Sequence, residues 1–343
     1  MIHPHIADAL KNPDLVQLSE GMVLVRFESM KIYSALAAVR HLLDRGTIRP
    51  GQTLVDSSSG IYAHALALAC HRYGMRCHIV ASTTVDATVR TQLEILGATV
   101  EQVGPSADLK LDQELRVRRI RQILAEHPDV HWMRQYHDDV HYLGYREVAD
   151  LVAAEFPGRP LTVVGGVGSG ASTGGLVEHL RRRDPAVRLV GLQPFGSVTF
   201  GSEDHHDPEA IIAGIGSSIV FDNVRHHLYD AIHWLDFTRA MSGAVALLRE
   251  HAVFAGLSTG AAYLAASWEA RRFPDRLHLV IGADTGHRYV ERVFARHGEA
   301  LDPAALEPVE IASLSDLSMP WSVMAWNRAP QPARRREREE PAS

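Results

Sequence analysis

Residues 161–175 read LTVVGGVGSGASTGG, and this stretch decides the fold. Its first four residues, 161–164, are apolar or β-favouring and predict a short buried strand. A helical pattern of apolar residues follows from Leu176. Between the two lies a loop of glycines and small hydroxyl residues, namely Gly165, Gly166, Gly168, Ser169, Gly170, Ser172 and Thr173. The stretch therefore predicts a strand, a loop without bulky side chains and the start of a helix.

This loop is suited to hold an anion. Glycines let backbone N–H groups approach a ligand, hydroxyls donate further hydrogen bonds, and the helix dipole favours negative charge. A phosphate is the ligand that this chemistry predicts. A single glycine loop is equally compatible with an ordinary tight turn between a strand and a helix. The assignment therefore needs support from other parts of the chain.

The composition indicates an ordinary globular enzyme-sized protein. The chain has 343 residues, of which 46% are hydrophobic and 22% charged, which is enough for two lobes. A net charge of -6 does not favour nucleic-acid binding, and no apolar run reaches membrane-spanning length. The N-terminus lacks the features of a secretory signal. With only Cys70 and Cys77, we expect packing thiols in a reducing compartment, the cytoplasm.

Lysine is rare in this chain, which makes each lysine a candidate for amine chemistry. Of the 35 lysine and arginine residues, only three are lysines, namely Lys11, Lys31 and Lys110. Lys11 and Lys110 lie in polar or charged segments and are predicted to be solvated. Lys31 instead opens the amphipathic segment 32–43, whose alanine-rich stripe predicts a packed helix. An unpaired buried charge is costly, so a lysine at this place needs a chemical reason.

Strands and helices alternate along most of the chain, which predicts an α/β fold with parallel sheets and helices on both faces. Extended runs are also expected at 15–18, 22–28 and 131–136. Residues 193–218 show weak periodicity and are predicted to form a long functional loop. Residues 321–343 are predicted to be a disordered tail. The strands that alternate with helices are predicted at 53–55, 76–81, 99–103, 161–164, 188–192, 231–235 and 277–281.

Small-residue turns recur at four predicted strand ends: 57–60, 165–170, 256–260 and 283–286. Doubly wound sheets bind ligands at the carboxyl ends of their strands. A phosphate loop combined with one exceptional lysine indicates a phosphorylated aldehyde held as a Schiff base. Pyridoxal 5'-phosphate fits this description.

Several motifs, in this order, resemble the cysteine synthase and cystathionine β-synthase family of fold type II pyridoxal-phosphate enzymes. Lys31 followed by a helix and RGTIRPGQTLVDSSSG is similar to the Schiff-base lysine and the strand that leads to the T-S-G-N loop. VGGVGSGASTGG resembles the G-x-G-T-G-G-T phosphate loop, and GLQPFGS resembles V-E-P-x-x-S. AGIGSSIVFDNV, FAGLSTGAA and ADTGHRYV resemble the family's G-I-G, G-I-S-S-G-A-A and P-D-S-G-E-R-Y segments. The match covers about residues 13–295.

The resemblance implies a role for particular residues. Lys31 would form the Schiff base and act as the base at the substrate's α-carbon. Thr285 would contact the pyridine nitrogen, and Ile61 would stand where the family's asparagine faces the cofactor. The phosphate would be held by Gly168, Ser169, Gly170, Ala171 and Ser172. The substrate would be bound by Ser58, Ser59, Gly60, Tyr62 and Gln135.

The loop after residue 60 departs from the family pattern, because Ile61, Tyr62 and Ala63 replace the usual Asn-Thr-Gly. The resemblance still implies a two-lobed fold like that of tryptophan synthase β. We expect a small mobile lobe of residues 35–144 and a large cofactor-binding lobe of residues 1–34 and 145–320. A homodimer is expected from the resemblance alone.

The implied activity is β-replacement on serine, an O-activated serine or a cysteine-like amino acid, through an aminoacrylate. One alternative is a β-elimination lyase of the cysteine desulfhydrase or hydroxyamino-acid dehydratase type. A second alternative is a non-catalytic binder on the same fold, which the loss of the asparagine at Ile61 motivates and the presence of Lys31 opposes. The 20 histidines show no H-E-x-x-H or C-x-x-C spacing, so no metal is expected.

Overall fold

The protein is described by a computed structural model that covers residues 2–58, 60–82, 85, 87–104, 109–210 and 214–330, without the side chains of residues 109–111. Within these residues, twelve strands form one sheet of eight strands and one of four. The strands are β1 Asp14–Ser19, β2 Met22–Arg26, β3 Thr53–Ser57, β4 Arg76–Ala81, β5 Thr99–Gln102, β6 His131–Trp132, β7 Leu161–Gly166, β8 Arg188–Pro194, β9 Ala231–Leu235, β10 Leu277–Gly282, β11 Val309–Ile311 and β12 Trp321–Ala325.

Helices connect these strands. They are α1 Ile6–Ala9, α2 Lys31–Asp44, α3 Ile61–Tyr73, α4 Ala87–Ile95, α5 Leu109–Glu126, α6 Tyr145–Glu155, α7 Ala171–Arg181, α8 Phe237–His251 and α9 Leu257–Arg272. Short 3-10 segments include Asp139–Tyr142 and Gly286–Tyr289. Left-handed Gly74 ends α3 and its N–H bonds to Cys70 O, as the glycine at this place predicts.

The large sheet has the order β1-β2-β10-β7-β8-β9-β12-β11. Its five central strands are parallel, whereas β1 and β12 pair antiparallel with β2 and β9. One face packs on α8 and α9, and the other packs on the side of the molecule that contains α2, α6 and α7. Parallel strands need cover on both faces, which explains their continuous apolar sequence. The predicted α/β class is confirmed.

The small sheet has the order β5-β4-β3-β6, and all its pairs are parallel. Helix α3 covers one face, and the apolar side of α5, through Ile120 and Ile123, covers Val55 and Val80 on the other. Its strands lie between residues 53 and 132, and those of the large sheet lie on both sides of that range. The exact lobe boundaries stay a prediction.

The prediction of a disordered tail from residue 321 was wrong for its first part. Residues 321–325 form strand β12, with Trp321 and Val323 buried against β9. The prediction failed because the charged residues near the C-terminus dominate the composition of the segment 321–343. The short strand at its start contributes too few residues to change that composition. Residues 331–343 lie outside the described part of the chain. The extended run predicted at 131–136 is a strand only at residues 131–132.

Candidate active site

A cavity opens at the carboxyl ends of β7 and β10, where a parallel sheet is expected to bind its ligand. The N-terminus of α2, the start of α3 and the loop at residues 214–215 surround it. Residues of these segments, of the glycine loop with the start of α7 and of α9 line it: Met30, Lys31, Ile61, Gly166, Gly168, Ser169, Gly170, Ser172, Thr173, Gly214, Ile215, Ser258, Ile281, Ala283 and Asp284. The structure thus brings Lys31 to the glycine loop, although Ser169 of that loop follows Lys31 by 138 positions in the sequence.

Lys31 is the first residue of α2, and its Nζ donates a hydrogen bond of 2.7 Å to Ser169 Oγ. The preceding residue fixes the helix start, because Met30 N–H bonds to Ala283 O at the end of β10. Burial lowers the pKa of the Lys31 ammonium to about 8. Withdrawal from water favours the neutral amine, which is the form that attacks an aldehyde.

The glycine loop is held by close approach of backbone to backbone. A Cβ on Gly168 would lie 2.3 Å from Gly214 O, and one on Gly170 would lie 2.3 Å from Asn223 O. Gly170 also has a φ of +81° and immediately precedes α7. Only glycine fits these two positions. The loop therefore forms a cradle of closely packed backbone that leads into the first turn of α7.

This cradle fits the phosphate of the predicted cofactor. The free N–H groups of the first turn of α7, which begins at Ala171, carry the positive end of the helix dipole. Lys31 stands beside Ser169 at the edge of the cradle, where the aldehyde of the same molecule can reach it. The Ser172 hydroxyl is within 2.9 Å of Tyr145 OH, which anchors the helix start to α6.

Thr285 lies at the edge of the site and not within the cavity lining. Its Oγ1 is 3.0 Å from His287 Nδ1, and its backbone pairs with Ala255. The neighbouring Asp284 lines the cavity instead and is only 5% exposed. Burial raises the pKa of the Asp284 carboxyl to about 6, and Tyr289 OH donates to its Oδ2 at 3.0 Å. The sequence prediction passed over this carboxylate because a threonine with the expected spacing follows it.

The loop after β3 is held by side-chain hydrogen bonds. Ser58 Oγ accepts from the N–H groups of Gly60 and Ala63 and so caps α3. Ile61, the first residue of α3, reaches the cavity. Ser59 lies outside the described residues. We call residues 57–60 the substrate loop, because the sequence predicts that they bind the amino-acid substrate.

Tyr62 is not brought to the cavity. Its ring packs in the apolar core, edge-on to His141 with ring centroids 5.6 Å apart. The buried hydroxyl has no hydrogen-bond partner among the described residues, and burial raises its pKa. The helical spacing explains this placement, because residues 62, 65, 66 and 69 share the buried face of α3.

Gln135 lies directly beside the substrate loop and donates from Nε2 to Ser57 O at 2.9 Å. Asp56, fully buried at the end of β3, accepts from the N–H groups of Ser57 and Gln135 and from Trp132 Nε1. Burial raises the pKa of the Asp56 carboxyl to about 7. Asp56 therefore joins the substrate loop to the segment after β6 that carries Gln135.

Arg116 of α5 also reaches the substrate loop. Its Nη1 donates to Ser57 Oγ at 3.0 Å, and its Nε lies 3.2 Å from Asp112 Oδ2. Both charged side chains are buried. Sequence reasoning missed Asp56 and Arg116. The signal for Asp56 was an acidic residue at the end of an apolar strand, whereas nothing distinguished Arg116 from the other arginines of its helix.

Comparison with known proteins agrees with this geometry. The family model described as "Pyridoxal-phosphate dependent enzyme" matches residues 23–282. The chain belongs to this family of pyridoxal-phosphate dependent enzymes. The family, the fold and the cofactor expected from the sequence are thus confirmed. The protein is an enzyme of the cysteine synthase-like group that acts on amino acids, so the non-catalytic alternative falls away.

The chain aligns with curated relatives over most of its length. It is 30% identical over 312 residues to N-(2-amino-2-carboxyethyl)-L-glutamate synthase of Ralstonia nicotianae, covering 86% of this chain and 90% of the relative. It is 24% identical over 257 residues to the O-acetylserine dependent cystathionine beta-synthase of Bacillus subtilis, covering 74% and 81%.

Solved structures show the same fold. The O-acetylserine dependent cystathionine beta-synthase of Helicobacter pylori aligns with a TM-score of 0.77 at 22% identity, over 85% of this chain and 98% of that one. An O-ureido-L-serine synthase aligns with a TM-score of 0.76 at 24% identity, over 89% and 99%. A search of the described residues for a helix long and apolar enough to cross a membrane finds none.

Proposed function

We propose that this enzyme catalyses β-replacement on an O-activated serine. The observation that carries the proposal is the 2.7 Å contact between Lys31 Nζ and Ser169 Oγ, which joins an amine of lowered pKa to a phosphate cradle. In the net reaction the Cβ–O bond of the substrate breaks and a bond from Cβ to the nucleophile forms. The departing oxygen takes up the proton that the nucleophile loses.

The chain's own residues supply positioning and proton transfer. Bound pyridoxal phosphate would supply the electron sink that makes the substrate's α-proton acidic. Lys31 Nζ would take that proton, and its lowered pKa of about 8 makes a larger fraction of it the neutral base than in an ordinary lysine. Gly168, Ser169, Gly170, Ala171 and Ser172 hold the phosphate. Thr285 is proposed to contact the pyridine ring, and Ile61 to pack against it.

The first substrate is bound by the substrate loop. We assign its carboxylate to Ser58, Ser59 and Gly60, with Gln135 beside them. Tyr62, from its place in the core, supports the start of α3 indirectly. The Arg116 guanidinium, whose charge is balanced by Asp112, holds Ser57 in place through its hydroxyl.

We propose an amino acid as the nucleophile, attacking through its amine. The relative from Ralstonia nicotianae is named for a product in which an alanine unit is attached to glutamate nitrogen. That relative and this chain are similar over most of both lengths, which supports the same bond formation here. Homodimeric assembly, cytoplasmic location and the division into lobes at residues 35–144 are proposed with it, on the strength of the family resemblance.

Absorption spectra of the purified protein with pyridoxal phosphate test the proposal. Wild type should show the visible band of lysine-bound cofactor, and Lys31→Ala should lose it. Lys11→Ala is the matched control, because Lys11 lies in an ion pair with Glu147 away from the cavity. A wild type without the band, or a Lys31→Ala variant that keeps it, would overturn the assignment of the cofactor to Lys31.

Product analysis then tests the reaction. With O-acetylserine or O-phosphoserine and an added nucleophile, mass spectrometry should detect the alanine unit on that nucleophile. Glutamate and sulfide are the two nucleophiles to compare. Pyruvate and ammonia as the sole products with both would contradict β-replacement and establish the β-elimination alternative.

A further inference from the structure

Arg288 reaches the substrate loop from the large sheet. It lies in the 3-10 segment Gly286–Tyr289, directly after β10. Its guanidinium faces Gly60: Nη2, Nη1 and Cζ are 3.5, 3.6 and 3.9 Å from the position that a Cβ on Gly60 would take. The two Nη atoms lie nearer to this position than Cζ does, so the guanidinium directs its terminal nitrogens toward the loop. The motif that contains Arg288 was singled out in the sequence only for Thr285.

Within the part of the chain that the structure describes, the guanidinium of Arg288 has no hydrogen-bond partner. Its Nε is buried without a partner, and Arg288 donates no hydrogen bond to any residue in the described ranges. The carboxylate beside it, Asp284, has its Oδ2 at 3.7 Å from Nη1, and that oxygen already accepts from Tyr289 OH. A guanidinium carries five N–H donors, and leaving them unpaired near the protein interior is costly. The site therefore suits an anion that accepts two parallel hydrogen bonds, as a carboxylate does.

The anion must arrive at the mouth of the cleft. Arg288 is absent from the lining of the cavity that holds Lys31, and its side chain is 26% exposed. The first amino acid has to lie deeper, with its α-carbon next to Lys31 Nζ. A second molecule that enters from solvent meets Arg288 on its way to the substrate loop.

We propose that Arg288 is a specificity-determining residue that binds a carboxylate of the incoming nucleophile. This inference rests on the proposed β-replacement and deepens it. An amine that carries carboxylates, such as a dicarboxylic amino acid, gains a charge-assisted pair at Arg288. Sulfide, which has no carboxylate, gains nothing from it. The enzyme is thereby selective for amino-acid nucleophiles.

The test compares nucleophiles in the holoenzyme with saturating O-activated serine. Arg288→Met should lower kcat/KM for glutamate by about thirtyfold, mainly through KM, because one charge-assisted pair is lost. The same variant should lower kcat/KM for sulfide less than about threefold. Arg292→Met is the matched control, because Arg292 is exposed and its replacement removes the same charge four residues along the chain. It should leave the ratio of the two efficiencies within about twofold.

Calorimetric titration of glutamate into the holoenzyme separates the two proposals. Glutamate should bind wild type and the Arg292→Met variant, and binding to Arg288→Met should be at least about tenfold weaker. Arg288→Lys, which keeps the stem and the charge, serves if Arg288→Met does not fold, and should give an intermediate loss. If wild type shows no replacement with either nucleophile, β-replacement is wrong, while this titration still decides whether Arg288 binds a carboxylate. Equal losses with glutamate and sulfide, or unchanged glutamate binding in Arg288→Met, would overturn the role of Arg288.

Discussion

The two loops that face each other across the cleft are held by different forces. The cradle at residues 165–170 is fixed by backbone packing, with Gly168 and Gly170 pressed against the carbonyls of Gly214 and Asn223. The substrate loop is fixed by side-chain hydrogen bonds from Ser58, Gln135 and Arg116. Backbone packing cannot be exchanged, whereas polar contacts can be remade with a ligand. We therefore expect the rigid loop to hold the permanently bound cofactor and the adjustable loop to bind the substrate, as proposed above.

The strongest way to break this contrast is to add one methyl group to each loop. Gly168→Ala places its Cβ 2.3 Å from Gly214 O, and neither backbone can move without disturbing the cradle. We expect cofactor affinity to fall at least about a hundredfold, which corresponds to about 3 kcal/mol. Fluorescence titration of the apoprotein with pyridoxal phosphate measures this loss.

Gly60→Ala is the partner variant in the substrate loop. Its Cβ would meet the Arg288 guanidinium at 3.5 Å or more, which is an ordinary contact, and Gly60 has a negative φ of -134°. We expect cofactor affinity within about twofold of wild type and a rise in substrate KM of about threefold to tenfold. Equal losses of cofactor affinity in the two variants would show that the loops do not differ as described.

A second variant sharpens the contrast by removing one polar contact under the substrate loop. Asp56→Asn puts an amide NH2 in place of one carboxylate oxygen. Either the Gln135 N–H, or the Ser57 N–H together with Trp132 Nε1, then loses its acceptor. We expect a loss of about 2 kcal/mol in the free energy of unfolding at about pH 8 and a higher substrate KM. Denaturant unfolding of the holoenzyme measures the first quantity. Asp44→Asn, at an exposed pair with Arg40, should cost less than about 0.5 kcal/mol.

The smallest expected change, taken per pH unit, is a dependence of stability on pH that arises from Asp56 beneath the substrate loop. The pKa of Asp56 is about 7 in the folded chain and near 4 when unfolded, because burial disfavours the carboxylate. The folded state therefore binds the proton more tightly, and this stabilising contribution is lost as the pH rises from about 4 to about 7. Relative to Asp56→Asn, the wild-type free energy of unfolding should fall by about 1.4 kcal/mol per pH unit in this window. Parallel pH profiles of the two proteins would contradict the burial of an ionisable group at this place.

Sequence patterns predicted most of the fold because buried parallel strands appear as short continuous apolar runs. The strands at residues 76–81 and 231–235 were predicted to the residue, since both faces are covered and the apolar runs end abruptly. The strand near the end of the chain was harder to predict, because β12 is an antiparallel strand, second from the edge of the sheet, and a charged terminus follows it. Its place follows from pairing with β9, which no local pattern encodes.

The site was predictable where one residue type had no ordinary reason to occur. The rarity of lysine and the glycine loop together predicted a phosphorylated aldehyde as the ligand. The structure brings Lys31 and Ser169 into contact, as that prediction requires. Asp56, Arg116 and Arg288 could not be found in this way, because their roles depend on tertiary neighbours. Tyr62 was predicted to bind substrate because it lies next to the substrate loop in sequence. The helical geometry of α3 instead directs its side chain into the core.

The order of the strands also governs when each part of the protein can form during synthesis. The small sheet is built from one continuous stretch, residues 53–132, so its pairings are local and can form as soon as that stretch emerges. The N-terminal hairpin β1–β2 must wait for β10, whose first residue follows Arg26 by about 250 positions, and the far side of the same sheet waits for β12. The four-stranded sheet can therefore form early, whereas the eight-stranded sheet that carries Lys31 and the glycine loop at its edge is completed only after β12 has left the ribosome.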